Sequence, residues 1–424
     1  MFTPHRIPPA ISLNRRGTGK TGRNPFLKKF GSHARIKTRD HEFLFTPRGE
    51  IRFIRGLGMD WPHPSEQLKR TDGNDWIHYA VGDDSTDRGI ISWMGEYYLP
   101  CLPYPSNSVW DLNYRENPGI MTAFGAWSQL FADLWDLGRK NTLRPEVMAL
   151  VQNILANDDQ ALFDRARHLK DIIGAEVSVL PPDTRHVDYD VIPLIVADGC
   201  RYRCRFCCVK SSRQLRVRSG SEIETQIREL TAFYGENLKN YNAVFLGNHD
   251  ALAAGADPVL ETAEKAYEAF EFNDGRKADP RLFLFGSAGS LLDAGQAFFE
   301  KLDRLPFDTW INIGLESCHD DTLKAIGKPL TESIVQEAFN RISDLNRELS
   351  RVEITCNFLI GTDLEPVHYD NMTRLLSEAP ASGKGCVYLS PVKDSPKKRE
   401  LLPKLREIQE ESRLPVFIYL IQRF

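Results

Sequence analysis

Four of the chain's eight cysteines fall within nine positions of the string DGCRYRCRFCCVK, and this crowding constrains the chain more than any other feature. Cys200, Cys204 and Cys207 are separated by three and then two residues, with Phe206 immediately before the third thiol. Such spacing lets three sulfurs on one tight loop reach three irons of a cubane. The fourth iron is left without a protein ligand, open to a chelating small molecule. A structural zinc site wants two ligand pairs, and no second pair follows downstream. Eight cysteines in 424 residues are too sparse for a disulfide framework, which points to a reducing compartment. An electron-transfer ferredoxin supplies a fourth cysteine followed by proline, whereas Cys208 precedes Val209. Cys208, adjacent to a ligand, reads as a packed thiol beside the cluster.

A chain of 424 residues holds two domains or one large one, with a sizeable core. With 42% hydrophobic residues, a net charge of −4 and no run of apolar residues long enough to span a bilayer, it reads as an ordinary cytoplasmic protein with no membrane partner. The charge is segregated. The first 39 residues carry ten Lys or Arg and no Asp or Glu. Residues 1–40 therefore read as a basic, flexible, solvated arm, with binding along nucleic acid as the alternative. The string GTGKT at Gly17 to Thr21 lacks the first glycine of a phosphate loop and follows no strand, so it is set aside.

In chain order, Glu42 to Gly56 alternates apolar and charged residues around Pro47-Arg48-Gly49 and predicts a hairpin. Six of the seven tryptophans (Trp61, Trp76, Trp93, Trp110, Trp127, Trp135) follow within 75 residues; they fill a small core or line a cavity for a flat ligand, core packing being preferred. The acidic stretch Gly82 to Gly89 reads as a surface loop or a source of polar substrate contacts. Three amphipathic helices are expected between Met121 and Gly174, and a domain boundary near Pro181-Pro182. Beyond it, strands at 191–196, 243–246, 282–285, 309–315, 353–360 and 385–389 alternate with helices at 221–234, 258–272, 290–302, 331–349, 365–377 and 397–412. Residues 414–421 are apolar enough for one more strand. This rhythm predicts a parallel sheet with its active site at the C-terminal strand ends.

The C-x3-C-x-aromatic-C string resembles the signature of the radical S-adenosylmethionine (SAM) superfamily. Residues 191–424 look like the partial six-fold βα barrel of those enzymes, in the broad group that includes oxygen-independent coproporphyrinogen oxidase-like proteins. The expected fold is thus α/β: a C-terminal partial (βα)6 TIM-like barrel, residues 183–424, with an N-terminal aromatic-rich α+β accessory domain, residues 41–182, as substrate module or lid. The resemblance implies a reduced 4Fe-4S cluster on Cys200, Cys204 and Cys207 and SAM bound to the open iron. Reductive cleavage to methionine and a 5′-deoxyadenosyl radical then removes hydrogen from an unidentified substrate. A reducing partner such as flavodoxin or ferredoxin is implied as well.

The same resemblance assigns cofactor contacts. Phe206 shields the cluster and helps seat the adenine. In FLGNHDALAAG, Gly247 and Asp250 stand where the family receives the methionine amino group, although Asn248, His249 and Asp250 replace its usual run; His249 reads equally as a turn residue. In FLFGSAGSLLD, Gly286, Ser287 and Ser290 offer groups to SAM's carboxylate or ribose, Ser290 also suiting a helix N-cap. GLES followed by DDTLKAIGK is close to what many relatives show, and Glu316 is expected on ribose or substrate. In NFLIGTDLE, Gly361 fits the adenine-contacting motif, while Asn357 replaces a glycine. Ser390, Lys393 and Asp394 are candidates to face substrate. Cys318, Cys356 and Cys386 read as buried small hydrophobes rather than an auxiliary cluster or hydrogen donors, and no cobalamin module is recognisable. Two alternatives stay open: radical SAM modification of RNA, and an iron-sulfur electron carrier or redox sensor that never cleaves SAM.

Overall fold

The computed structural model describes residues 10–16, 31–58, 61, 66–70, 72, 76–80, 93–96, 118–140, 143–175, 179–187, 189–207, 214–273, 279–380, 383–392 and 400–421. Among the described residues, seven strands fall in the first hundred positions: β1 (Ala10–Arg16), β2 (Ser32–Lys37), β3 (His41–Phe45), β4 (Ile51–Gly56), β5 (Glu66–Arg70), β6 (Trp76–Ala80) and β7 (Trp93–Glu96). The first six form an antiparallel meander in sequence order. The expected hairpin is β3 against β4, with Phe43 opposite Ile54. Because β-strand side chains alternate, Ile36, Phe43, Phe45 and Ile54 line one covered face. That face packs on Ile120, Trp127, Leu130 and Leu134 of α1 (Pro118–Lys140) and on Val151 and Ile154 of α2 (Pro145–Ala156). Asp158 caps α3 (Asp159–Ile173), its side chain accepting from the Ala161 amide, and Gly174 closes that helix in the left-handed conformation.

Two expectations change here. The basic segment is not wholly a free arm, since β1 and β2 are paired strands of the meander. Nor do the tryptophans share one role. Trp61 lies against Gly56 and Trp127 against Phe43 and Phe45, whereas Trp135 is 55% exposed on α1. The acidic stretch 82–89 lies outside the described residues.

The second sheet builds the barrel. Its strands are β8 (Ile192–Ile195), β11 (Ala243–Gly247), β12 (Arg281–Ser287), β13 (Asp308–Glu316), β14 (Val352–Ile360), β15 (Val387–Pro391) and β16 (Val416–Ile421), with the short β9 (Ala197–Asp198) and β10 (Arg216–Val217) forming a separate ribbon between β8 and β11. The order is β7-β16-β15-β14-β13-β12-β11-β8, parallel throughout. All six expected strands are present, the apolar stretch at 414–421 is the seventh, and β7 from the amino-terminal half is the eighth. That donated strand crosses the expected division at Pro181-Pro182. The strands read IPLI and AVFLG because helices cover one face and the barrel interior the other. Those helices are α4 (Gly220–Tyr234), α5 (Ala256–Ala269), α6 (Ala288–Asp293), α7 (Gln296–Arg304), α8 (Asp320–Ala325), α9 (Glu332–Glu348), α10 (Pro366–Ser377) and α11 (Leu401–Glu411). The single helix expected over 290–302 is two, because Ala294 is extended and Gly295 starts α7.

Charged side chains join the meander to the barrel. Asp190, just before β8, accepts from Lys69 Nζ at 2.8 Å and Arg52 at 3.0 Å, while Tyr241 donates to Asp72 at 3.2 Å. Glu50 pairs with Arg165 at 2.9 Å and accepts from Asn237 at 3.1 Å. Segment 180–187 closes the N-terminal end of the barrel. Tyr419 donates to the Leu180 carbonyl, Tyr388 and Thr355 donate to Asp183, and Arg281 donates to the His186 carbonyl. The C-terminal strand ends point the other way, and the cysteine loop is there.

Candidate active site at the C-terminal edge of the barrel

The loop begins where β8 ends. Asp198, the last residue of β9, accepts from Arg218 at 2.7 Å and from Arg216 at 2.6 Å, which fixes the stem of the loop. Gly199 then turns with φ of 77°, a conformation that favours glycine. Cys200 is half-buried, Cys204 buried and Cys207 half-buried; none of the six described cysteines is in a disulfide. The far side of the loop is pinned to the turn after α8. The Arg205 amide donates to the Ile326 carbonyl at 2.7 Å and its guanidinium to the Ala325 carbonyl at 3.3 Å. Gly327 has φ of 70°, and a Cβ there would lie 3.2 Å from Arg205 Cγ. Arg201 reaches Asp293 of α6 at 2.8 Å.

Besides Asp198, the carboxylates of Asp250 and Glu316 and the ammonium of Lys328 are buried around this loop. After β11, Asp250 is 4% exposed. Its Oδ1 accepts from the Ser290 hydroxyl at 2.7 Å and the Ala253 amide at 3.2 Å, and its buried Oδ2 has no partner among the described residues. At the last position of β13, Glu316 is 7% exposed with φ of 70°. That left-handed conformation costs a non-glycine residue on the order of 1 kcal/mol and accompanies a register shift between Gly314 and Glu316. Lys328 Nζ donates to Glu316 Oε1 at 3.3 Å and sits 5.4 Å from the centre of the Tyr202 ring. Burial raises the Glu316 pKa against the pull of Lys328. Burial also works to discharge Lys328, but Glu316 and then Cys204 hold its ammonium above its ordinary pKa. Burial pushes up the thiols of Cys200 and Cys204, and Lys328 opposes it at both. The ammonium is thus the cation that favours thiolates in this loop.

Two glycines make room for this cluster. A Cβ on Gly314 would lie 2.4 Å from Glu316 Oε1 and 3.2 Å from Lys328 Nζ; one on Gly289 would lie 2.5 Å from the Tyr202 hydroxyl oxygen.

The structure brings Asp250 and Glu316 to the edge that carries the cysteines. Phe206 is half-buried on the loop itself. Gly247 ends β11 and its carbonyl accepts from the Val196 amide at 3.1 Å. Gly361 follows β14, bonded through its amide to the Tyr369 hydroxyl at 2.9 Å. Ser287 differs from expectation: its hydroxyl is engaged in the N-terminal capping box of α6, so the cap is Ser287 and Ser290 supports Asp250 instead. Gly286 has no room for a side chain, since a Cβ would lie 2.6 Å from Leu252. His249 is half-buried, and burial lowers its pKa. Asn357 is paired with Asn312 inside the barrel, and Ser390 is half-buried on β15. Lys393, Asp394 and Cys208 lie outside the described residues. Cys318, Cys356 and Cys386 are buried, and burial pushes the Cys318 thiol up to about 12. Lys328 and Tyr202 were not singled out from the sequence, although both lie inside the quoted motifs.

Residues 194–370, from β8 into α10, match the radical SAM superfamily. That stretch carries a radical SAM domain. Enzymes of that superfamily use SAM and a 4Fe-4S cluster as cofactors. Ribosomal protein uS12 methylthiotransferase RimO of Hydrogenovibrio crunogenus (strain DSM 25203 / XCL-2) is 24% identical over 256 residues, covering 55% of this chain and 51% of that protein. The chain therefore spans about half the length of the curated relative it matches. Among solved structures, the radical SAM methyltransferase TsrM from Kitasatospora setae, with cobalamin and a 4Fe-4S cluster bound, is 15% identical with a TM-score of 0.35, covering 55% of this chain and 43% of that one. Methylornithine synthase PylB is 11% identical with a TM-score of 0.33, over 59% and 80%. The finer resemblance to coproporphyrinogen oxidase-like proteins finds no support in these similarities.

The residues present suit these cofactors chemically. Three thiols share one pinned loop, a buried cation faces them, and an unpartnered carboxylate oxygen offers an acceptor for an amino group. Among the described residues no three His, Cys, Asp or Glu side chains are gathered at metal-holding distance. No helix of the described residues is long and apolar enough to cross a membrane.

Proposed function

We propose that Cys200, Cys204 and Cys207 hold the 4Fe-4S cluster and that the chain uses SAM-derived radicals to abstract hydrogen from a substrate admitted at the barrel mouth. When bound, the reduced cluster supplies the electron that splits SAM into methionine and a 5′-deoxyadenosyl radical. The observation that carries this reading is the meeting, at one sheet edge, of the cysteine loop with Asp250, Glu316 and Lys328. Asp250 Oδ2, buried and unpartnered, is the acceptor for the amino group of SAM. Glu316 is the acceptor for the ribose hydroxyls, since its Lys328 contact occupies Oε1 alone. Lys328 neutralises negative charge gathered at the loop. Gly361 leaves space for the adenine, and Phe206 screens the cluster from water. The electron comes from a reducing partner protein that approaches the cysteine loop.

Similarity to a protein named a methylthiotransferase makes transfer of a methylthio or methyl group the first outcome to test for. RNA as substrate is a second reading, favoured by the acid-free segment 1–39, part of which is strand β1 and β2. Salt-sensitive binding of transfer RNA that disappears on deleting residues 1–39 supports it.

The test is anaerobic reconstitution with iron and sulfide, followed by dithionite and SAM. Formation of 5′-deoxyadenosine by the native chain, and its loss in C204A, is the expected result. A reconstituted, reducible cluster that yields no 5′-deoxyadenosine refutes the proposal in favour of an electron carrier or redox sensor.

A further inference from the structure

The ends of β13 and β14 are tied together by one short stretch of α10, and the residues that do so contact neither the cysteine loop nor its buried charges. His368 is fully buried. Its Nε2 lies 2.9 Å from the Leu359 carbonyl and its Nδ1 lies 2.8 Å from the Ser317 hydroxyl oxygen. A carbonyl only accepts, so Nε2 carries the proton and Nδ1 accepts from Ser317. The Ser317 oxygen in turn accepts from the His319 amide at 3.1 Å. The next residue, Tyr369, accepts from the Gly361 amide at 2.9 Å and donates to the Gly361 carbonyl with the same hydroxyl. One turn on, Asn371 donates to the Cys318 carbonyl at 2.9 Å. Three residues of one helix thus hold Ser317 and Cys318 on one strand end, and Leu359 and Gly361 on the next.

Glu316 immediately precedes Ser317 and sits in the left-handed conformation, which a non-glycine residue keeps only where its surroundings enforce it. The enforcement is visible in its neighbour: Ser317 is fully buried, and its hydroxyl faces His368. Releasing that bond frees the backbone on the C-terminal side of Glu316 to relax toward ordinary φ, which would swing the carboxylate away. Releasing the Tyr369 bonds frees the loop at Gly361 in the same way.

We propose that His368 and Tyr369 are positioning residues that set the separation of Glu316 and Gly361, and thereby the affinity for the nucleoside half of SAM. This rests on the reading that those two positions contact SAM. The pair touches no reacting atom, so its removal weakens SAM binding with little effect on turnover at saturating SAM.

The experiment compares H368F, H368Q, Y369F, S317A and E316Q as reconstituted full-length proteins. SAM affinity is measured by equilibrium dialysis and 5′-deoxyadenosine formation at saturating SAM, and hydrogen exchange is followed on the ligand-free chains. H368F and Y369F are expected to weaken SAM binding about tenfold, with saturated rates within about twofold of wild type. H368Q, which keeps one donor and one acceptor, recovers most of the affinity. S317A reproduces H368F without altering α10 and stands in for it should H368F not fold; the double variant is no worse than either. Amide exchange rises at residues 317–319 in H368F and at Gly361 in Y369F. Normal SAM affinity in H368F, S317A and Y369F alongside a loss in E316Q overturns the positioning role and leaves the SAM contact standing. Normal affinity in E316Q overturns the contact itself, and this inference with it.

Discussion

Replacing Asp183 with asparagine should stabilise the chain at neutral pH and destabilise it in acid. Asp183 is 1% exposed within the segment that closes the lower end of the barrel. Its two oxygens accept from Tyr388 at 2.6 Å and Thr355 at 2.7 Å. Burial raises its pKa from 3.8 to about 6, and those two hydrogen bonds and the charge of Arg185 recover only part of the desolvation. The folded chain therefore keeps a proton that the unfolded chain has already lost. Stability is greatest below about pH 4, falls as pH rises to about 6, and above that carries a constant penalty of roughly 3 kcal/mol, at 1.36 kcal/mol per pH unit. Asparagine has no charge to desolvate but loses one of two accepted hydrogen bonds, about 1 kcal/mol. The net expectation for D183N is a gain of about 1–2 kcal/mol at pH 7.5 and a loss of about 1 kcal/mol at pH 4. Urea unfolding of wild type and D183N at both pH values measures this as a difference, in which other titrations cancel. A D183N effect of the same sign and size at both pH values refutes the reasoning.

Lys69 has the opposite sign. Fully buried beside Asp190, it has its pKa pushed down by burial to about 8, so wild-type stability should rise between pH 8 and about 10.5. That rise should vanish in K69M, as followed by paired melts at pH 7.5 and 10. K328M leaves Glu316 buried without its partner and should cost about 3–5 kcal/mol, much of it regained in K328M/E316Q, as chemical unfolding would show. G289A forces the Tyr202 ring away from α6 and should weaken SAM binding. Adding Y202F, which removes the clashing oxygen, should restore it, and equilibrium dialysis of the single and double variants decides.

How much of this was legible in the sequence depended on whether a residue's role was set by its neighbours along the chain. The barrel strands were, because a strand buried on both faces must be an apolar run whatever lies beside it, as in AVFLG of β11. The cysteine loop was also legible, the spacing of Cys200, Cys204 and Cys207 being a property of eight consecutive residues. Asp250 and Glu316 could be placed because one lies three residues past the end of β11 and the other ends β13. What stayed hidden was set by contacts between distant segments. β7 is four residues long, and only its pairing with β16, more than 300 positions later, makes it part of the barrel. Lys328 looks like any lysine in a loop until β13 folds Glu316 beside it, and His368 like any helix residue until Ser317 and Leu359 close on it. The run PPDT illustrates the same point from the other side. Two prolines and an aspartate next to each other are ordinary linker chemistry, yet here Pro181, Pro182 and Asp183 are buried and seal the barrel floor. A local pattern reports that the backbone must turn; it carries no information about what the turn will rest against. For that reason D183N is a sharper test of the fold than any substitution in an apolar strand. An apolar strand residue was already expected to be buried from its own stretch of sequence, whereas the burial of Asp183 depends on β14 and β15 arriving from some 170 and 200 residues away.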